Sequence, residues 1–243
     1  MPSIDAVLFD LDDTLLENDM DYFLSRYFPM ISEYVQPMIE RERFMKELLF
    51  ATQNMIQNQD PNVTNHDVFW SVFCERTGLE QEEMEPFVDK FYRQEFPKLR
   101  EVTSPKSIAI KLVRFCFDNH LKVVIATNPL FPLKAIEHRL EWAGVATNDF
   151  DYSLVTAYEN MFSAKPNPTY YREILSKIEV NPSRAIMVGD DWNNDMVPAN
   201  RVGLFTFWIT HDSKAWSERS REVDGFGNLA DFYNRLSNGW LLV

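Results

Sequence analysis

The chain has little glycine, almost no cysteine and no excess of positive charge, and each shortage removes a class of protein. Seven glycines in 243 residues leave no glycine-rich loop to wrap a nucleotide's phosphates, and the single Gly189 is not a dinucleotide fingerprint. Two cysteines, Cys74 and Cys116, are too few for a disulfide framework and too far apart for a metal knuckle. Both fall in apolar helical stretches, where buried free thiols and a reducing compartment are expected. A formal net charge of −13 repels nucleic acid and anionic membrane, so neither is expected as a partner. No run approaches the roughly 18 apolar residues of a membrane span, and the N-terminus lacks a basic region followed by an apolar stretch. A cytoplasmic protein, monomer or homodimer, is the expectation.

What the chain does have is a core. Apolar residues make up 45% and aromatics 14% of it, enough for one large domain or two smaller ones. Residues 4–9 form an apolar run broken only by Asp5, which reads as a strand buried on both faces. From a polar hinge at Glu17, Asn18 and Asp19 to about Leu99, the apolar spacing is helical and no strand is expected. Four amphipathic helices are predicted there: one from Met20 to beyond Ile31, kinked at Pro29; one over 38–57; one from Asn65 to Gly78; and one carrying Met84 to Tyr92. The second is expected to turn Met45, Leu48, Leu49, Thr52, Met55 and Ile56 inward. Phe23, Tyr27 and Trp70 read as bundle core; Asn18, Asp19 and Arg26, near the hinge, are placed to touch a substrate, but solvated surface is the preferred reading for them.

From Ser104 the pattern alternates. Ser104 and Pro105 read as an N-cap and first helical position, opening a helix to about His120. Strands are expected over 122–127, 152–156, 184–188 and 204–209, with helices over 132–143, 168–178, 193–200 and 229–236. This alternation predicts an α/β fold, a Rossmann-like doubly wound parallel sheet that binds ligands at the carboxyl ends of its strands. The helical block then becomes an inserted α-helical cap over those ends, dividing the chain into a core of residues 1–17 and 100–243 and a cap of 18–99.

The first strand ends in Asp10, Leu11, Asp12, Asp13 and Thr14. Buried carboxylates cost several kcal/mol unless a cation or donor compensates them, and a hard divalent cation suits this cluster. Capping of a turn remains open for these aspartates. Three further stretches fall at or just beyond predicted strand ends: Thr127-Asn128, Lys165-Pro166, and Gly189-Asp190-Asp191 running to Asp195.

With these four motifs in order, the chain resembles the haloacid dehalogenase superfamily of phosphohydrolases. The resemblance implies a Mg²⁺-dependent phosphatase acting on a small phosphorylated metabolite. Asp10 would be the nucleophile that forms an aspartyl-phosphate, and Asp12 the general acid and base. Asp10, Asp190 and the backbone carbonyl of Asp12 would hold Mg²⁺. Thr127, the Asn128 amide and Lys165 would bind the phosphoryl group. Asp195 and Asp191 would support the metal shell or Lys165, and Thr14 would brace the turn. A phosphomutase retains the same motifs and stays open. A dehalogenase fits less well, because those members generally lack an aspartate matching Asp12, and a non-catalytic binding protein is a further alternative. His66, His120, His138 and His211 lie outside the motifs and receive no role.

Overall fold

The computed structural model describes residues 3–210, 219 and 221–242. Its centre is a six-stranded parallel sheet in the order β5-β4-β1-β6-β7-β8. The strands are β1 (Ala6–Phe9), β4 (Lys122–Ile125), β5 (Leu154–Val155), β6 (Ala185–Gly189), β7 (Phe205–Ile209) and β8 (Gly225–Gly227). β1 is central and fully buried. Val7 and Phe9 face one core with Leu112 and Cys116 of helix α5 (Ser107–Asp118) and Phe232 of helix α9 (Leu229–Ser237). Ala6 and Leu8 face the other, with Tyr170 and Ile174 of α7 (Pro168–Ile178) and Ala199 of α8 (Val197–Val202). Alternate residues therefore feed opposite layers, which is why this strand is a continuous apolar run. The chain leaves β1 for β4 on one side and returns to β6 on the other, so the strand order reverses at the carboxyl end of β1. Ligand crevices in such sheets form at that reversal.

Between β1 and β4 lie α1 (Met20–Tyr34), α2 (Arg41–Gln57), α3 (Asn65–Thr77) and α4 (Gln81–Gln94), followed by a 3₁₀ segment, Phe96–Val102. α3 starts from a reciprocal cap, in which Thr64 Oγ1 accepts from Asp67 N and the Asp67 carboxylate accepts from Thr64 N, and it ends at Gly78 with φ +71°. That left-handed residue is where a glycine costs least. α1 runs unbroken through Pro29. Phe23, Tyr27 and Trp70 are buried, as their spacing implies.

Three local expectations are corrected. Ser104 and Pro105 do not open a helix. They form β3 (Ser104–Pro105), antiparallel to β2 (Leu16–Glu17), and α5 starts only at Ser107. The backbone of Ser104 is used across the chain, so the two strands connecting the helical block to the sheet are tied to one another. α2 buries Met55 as expected and half-buries Met45, Leu48, Thr52 and Ile56, but its most buried face adds Phe44, Glu47 and Ala51, and Leu49 is 52% exposed. Glu47 can turn inward because Arg76 of α3 pairs with it, an ion pair that apolar periodicity does not reveal. Asn18 is not solvated: it is 1% exposed. Of the two thiols, Cys116 is buried and Cys74 half-buried, and both are free.

Candidate active site

β1 ends directly at Asp10, whose backbone N–H donates to the Val188 carbonyl of β6 (2.9 Å). This carries the carboxylate to the strand-order reversal. Lys165 reaches it from the segment before α7. Its Nζ donates to Asp10 Oδ1 and to Asp195 Oδ1, each at 2.6 Å, with all three residues buried. Asp195 lies on a single π-turn, Trp192–Met196, that follows β6; such widened turns redirect one residue out of helical register. Its other oxygen accepts from Asp191 N (3.1 Å). The carboxylate lies so close to Gly189 that a Cβ there would collide with it, which gives the glycine of this motif a steric reason. Asp190 accepts from Thr14 Oγ1 (3.4 Å), and its carbonyl accepts from Trp208 Nε1 (2.8 Å).

Carboxylate oxygens of Asp10, Asp190 and Asp195 fall within 4.8 Å of one another. Burial first, and neighbouring carboxylates after it, raise all three carboxyls, Asp190 to about 7: Asp195, Asp190 and Asp12 press on Asp10, Asp195 and Asp13 on Asp190, and Asp191 on Asp195. Burial opposes the charge on Lys165, but Asp10 and Asp195 outweigh it and hold the ammonium protonated. Fully ionised, the three carboxylates outnumber the one ammonium, an excess of negative charge that a cation would relieve. All-oxygen donors with that excess fit a hard divalent cation, so the residues present are suited to one.

A stability consequence follows from the sign of the shift. A carboxyl whose folded pKa is raised binds more protons folded than unfolded, so its stabilising contribution is lost as pH rises. For Asp190 the window runs from about the usual 3.8 to about 7. The metal-free protein should therefore lose thermal stability across that interval, and Mg²⁺ added above it should restore the melting temperature. Melting curves that show neither trend would contradict the charge imbalance.

The side chain of Asp12 turns away from this cluster. Its Oδ2 accepts from Arg139 Nη1 (2.5 Å) and its Oδ1 from Asn18 Nδ2 (2.7 Å). Arg139, from α6 (Leu133–Trp142), is 1% exposed, lies over the Phe131 ring at 4.9 Å, and leaves Nη2 without a hydrogen-bond partner among the described residues. Neither Arg139 nor Asn18 belongs to a motif, and sequence reasoning assigned neither to the site. Arg139 lies 127 positions from Asp12 on an otherwise ordinary amphipathic helix, so the available signal was only a charge on its buried face. Breaking a buried pair by removing one partner typically costs about 3–5 kcal/mol. Arg139→Met should lower the unfolding free energy by an amount of this order in urea denaturation. A loss below about 1 kcal/mol would mean that the pair does not anchor Asp12.

The other motif residues divide. Thr127 is buried and its carbonyl accepts from Tyr170 and Thr156 hydroxyls (2.8 and 2.7 Å). Asn128 Oδ1 accepts from Lys165 N (3.2 Å), linking two motifs. Asp191 is not in the cluster: its side chain caps the π-turn by accepting from Asn193 N and Asn194 N. His66 pairs with Glu85 away from the site, and His211 lies outside the described residues.

A family model described as a haloacid dehalogenase-like hydrolase matches residues 4–203. A protein of Pyrococcus furiosus named glyceraldehyde 3-phosphate phosphatase is 25% identical over 219 residues, 88% of this chain and 84% of that protein. In structure, the chain is similar to an HAD phosphatase from Thermococcus onnurineus, with a TM-score of 0.60 at 21% identity, covering 99% of this chain and 100% of that one. It is also similar to the L-2-haloacid dehalogenase of Xanthobacter autotrophicus, with a TM-score of 0.56 at 17% identity, covering 97% and 99%. These structural likenesses establish the fold, which hosts both activities.

Proposed function

The chain belongs to the haloacid dehalogenase-like hydrolase family, and from that premise we propose that it is a Mg²⁺-dependent phosphatase working through an aspartyl-phosphate on Asp10. The observation that carries this reading is the placement of Lys165 Nζ at 2.6 Å from both Asp10 and Asp195, with a separate, independently anchored carboxylate two residues further at Asp12. A phosphate monoester is an anion that repels an attacking carboxylate, so the site needs positive charge exactly where the nucleophile stands. Lys165 supplies part of it.

In the proposed mechanism Asp10 attacks phosphorus in line with the leaving oxygen. Lys165 and the Asn128 amide hold phosphoryl oxygens, with Thr127 beside them. Asp12 protonates the leaving oxygen and later takes a proton from the water that opens the acyl phosphate. Arg139 and Asn18 pair with that carboxylate outside the cluster of Asp10, Asp190 and Asp195, and acting as the acid requires it to leave Arg139, take up a proton and turn to the leaving oxygen. Asp10, Asp190 and the carbonyl of Asp12 would hold Mg²⁺, with Asp195 fixing Lys165 and bordering the metal. When bound, the metal supplies charge neutralisation at the phosphoryl group. Asp12 also distinguishes this reading from dehalogenase chemistry, which needs no acid for a departing halide.

We further propose that residues 18–99 act as a cap hinged where β2 and β3 pair, closing over the strand ends to exclude bulk water. The test of the phosphatase reading is phosphate release from acetyl phosphate and from a chromogenic aryl phosphate. Chelator should abolish turnover and Mg²⁺ restore it. Full activity in verified metal-free buffer would refute the metal assignment, and halide release from a 2-haloacid without phosphate release would refute the reaction.

A further inference from the structure

A cavity of about 330 Å³ runs from Asp12, Thr127 and Asn128 into the space between the helices of the 18–99 segment. Its composition changes along its length. Among the described residues, charged side chains line it only at the Asp12–Arg139 end, where they pair with each other. Beyond that end the wall is aliphatic and aromatic, including Leu24, Phe28, Leu48, Phe69, Val88 and Phe131. Its polar side-chain atoms are few: Tyr27 and Tyr92 hydroxyls bond each other (2.7 Å), Thr52 donates to the Leu48 carbonyl of its own helix (2.8 Å), and beyond the Asp12 end the remaining ones are the Tyr158 hydroxyl and the buried Trp70 Nε1, which has no hydrogen-bond partner among the described residues. Leu49 both lines the cavity and is half exposed, so the cavity reaches the surface beside α2. Leu48, Leu49 and Thr52 are the residues that helical spacing had assigned to the core. Leu48 and Leu49 are apolar where they face this space, and Thr52 presents its methyl-bearing side chain there with its hydroxyl tied to its own helix.

A polyol or sugar placed here would bury hydroxyls against carbon, and each unpaired hydroxyl costs about 1–3 kcal/mol. An apolar group gains instead. At roughly 30 Å³ for a water-sized group, the volume accommodates on the order of ten non-hydrogen atoms. We propose that the ester hydrolysed at Asp10 is the phosphate of an apolar alcohol, its alkyl or aryl group occupying this cavity and its bridging oxygen at the Asp12 end. This rests on the phosphatase reading and names the substrate class of the same site.

The experiment pairs turnover with binding. For wild-type enzyme, kcat/KM on n-alkyl phosphates from ethyl to octyl should rise about fourfold per methylene, on the order of 10²-fold from ethyl to hexyl, and butyl phosphate should surpass glycerol 3-phosphate. In parallel, calorimetry with n-alkylphosphonates, which carry no cleavable ester, should show affinity rising with chain length. Leu48→Trp and, independently, Val88→Phe should flatten both series by filling the cavity. A flat or falling series in binding, or preference for glycerol 3-phosphate, overturns the inference. If acetyl phosphate is not hydrolysed while phosphonate affinity still climbs with length, the phosphatase reading fails and the cavity stands as an apolar anion-ligand site.

Discussion

Asp10→Asn is expected to abolish turnover, by roughly 10⁴–10⁶-fold, the scale on which an enzyme loses its nucleophile. The amide keeps the shape of the side chain but cannot attack phosphorus, and it also removes one carboxylate from the three whose oxygens lie within 4.8 Å. Two readouts should fail together: steady-state phosphate release and any phosphorylated protein in quenched samples. The substitution should not harm the fold. It removes a carboxylate whose charge burial opposes first and the charges of Asp195, Asp190 and Asp12 oppose further, while Lys165 keeps Asp195 as its partner, so thermal stability of the metal-free protein should hold or rise. Loss of folding together with activity would mean that Asp10 acts structurally.

The second large effect is at Lys165. Lys165→Met preserves length and apolar bulk but leaves Asp10 and Asp195 facing one another, buried, with no cation between them. Loss of one preorganised charge at a developing anion typically costs about 10²–10³ in kcat, and here the nucleophile would lose its partner too. A loss of at least that size is expected. The mutant should bind protons at these carboxyls more readily than wild type, so its stability should fall more steeply as pH rises. Lys165→Arg should not rescue it, because the 3%-exposed side chain has no room for a planar guanidinium. Wild-type kcat in Lys165→Met would remove the lysine from the mechanism.

Much of the frame was legible because it depends on short-range pattern. β1 reads as a buried strand since both its faces are covered, and Pro168–Ile178 emerges with the bounds its proline start and apolar spacing predict. The convergence of Asp10, Lys165 and Asp190 could be anticipated because parallel strands bring their carboxyl ends to one edge, however distant in sequence. What was hidden depends on partners. Asn18 looks like hinge polarity until Asp12 is placed beside it, and Arg139 looks like a helix-surface charge until α6 is packed. β8 is three residues containing two glycines, too short for a period. Ser104 and Pro105 carry a genuine helix-start signal, but strand pairing with Leu16 and Glu17 prevails over it. Leu49 departs for a different reason: residues lining a cavity and residues filling a core have the same composition.

The central claim is that Asp10 and Asp12 divide nucleophilic attack from proton transfer, and one measurement addresses it directly. Asp12→Asn keeps Asp10, Lys165 and the backbone carbonyl at 12, while removing the acid–base carboxyl, at a cost of about 10²–10⁴-fold in turnover. With an aryl phosphate whose leaving group needs no proton, attack should outlast hydrolysis and the intermediate should accumulate. Mass spectrometry of this variant, quenched in acid during reaction, should find one phosphoryl group on the peptide that contains Asp10, at Asp10. A phosphoryl group on another residue, or continued phosphate release with no phosphorylated protein, would contradict the account.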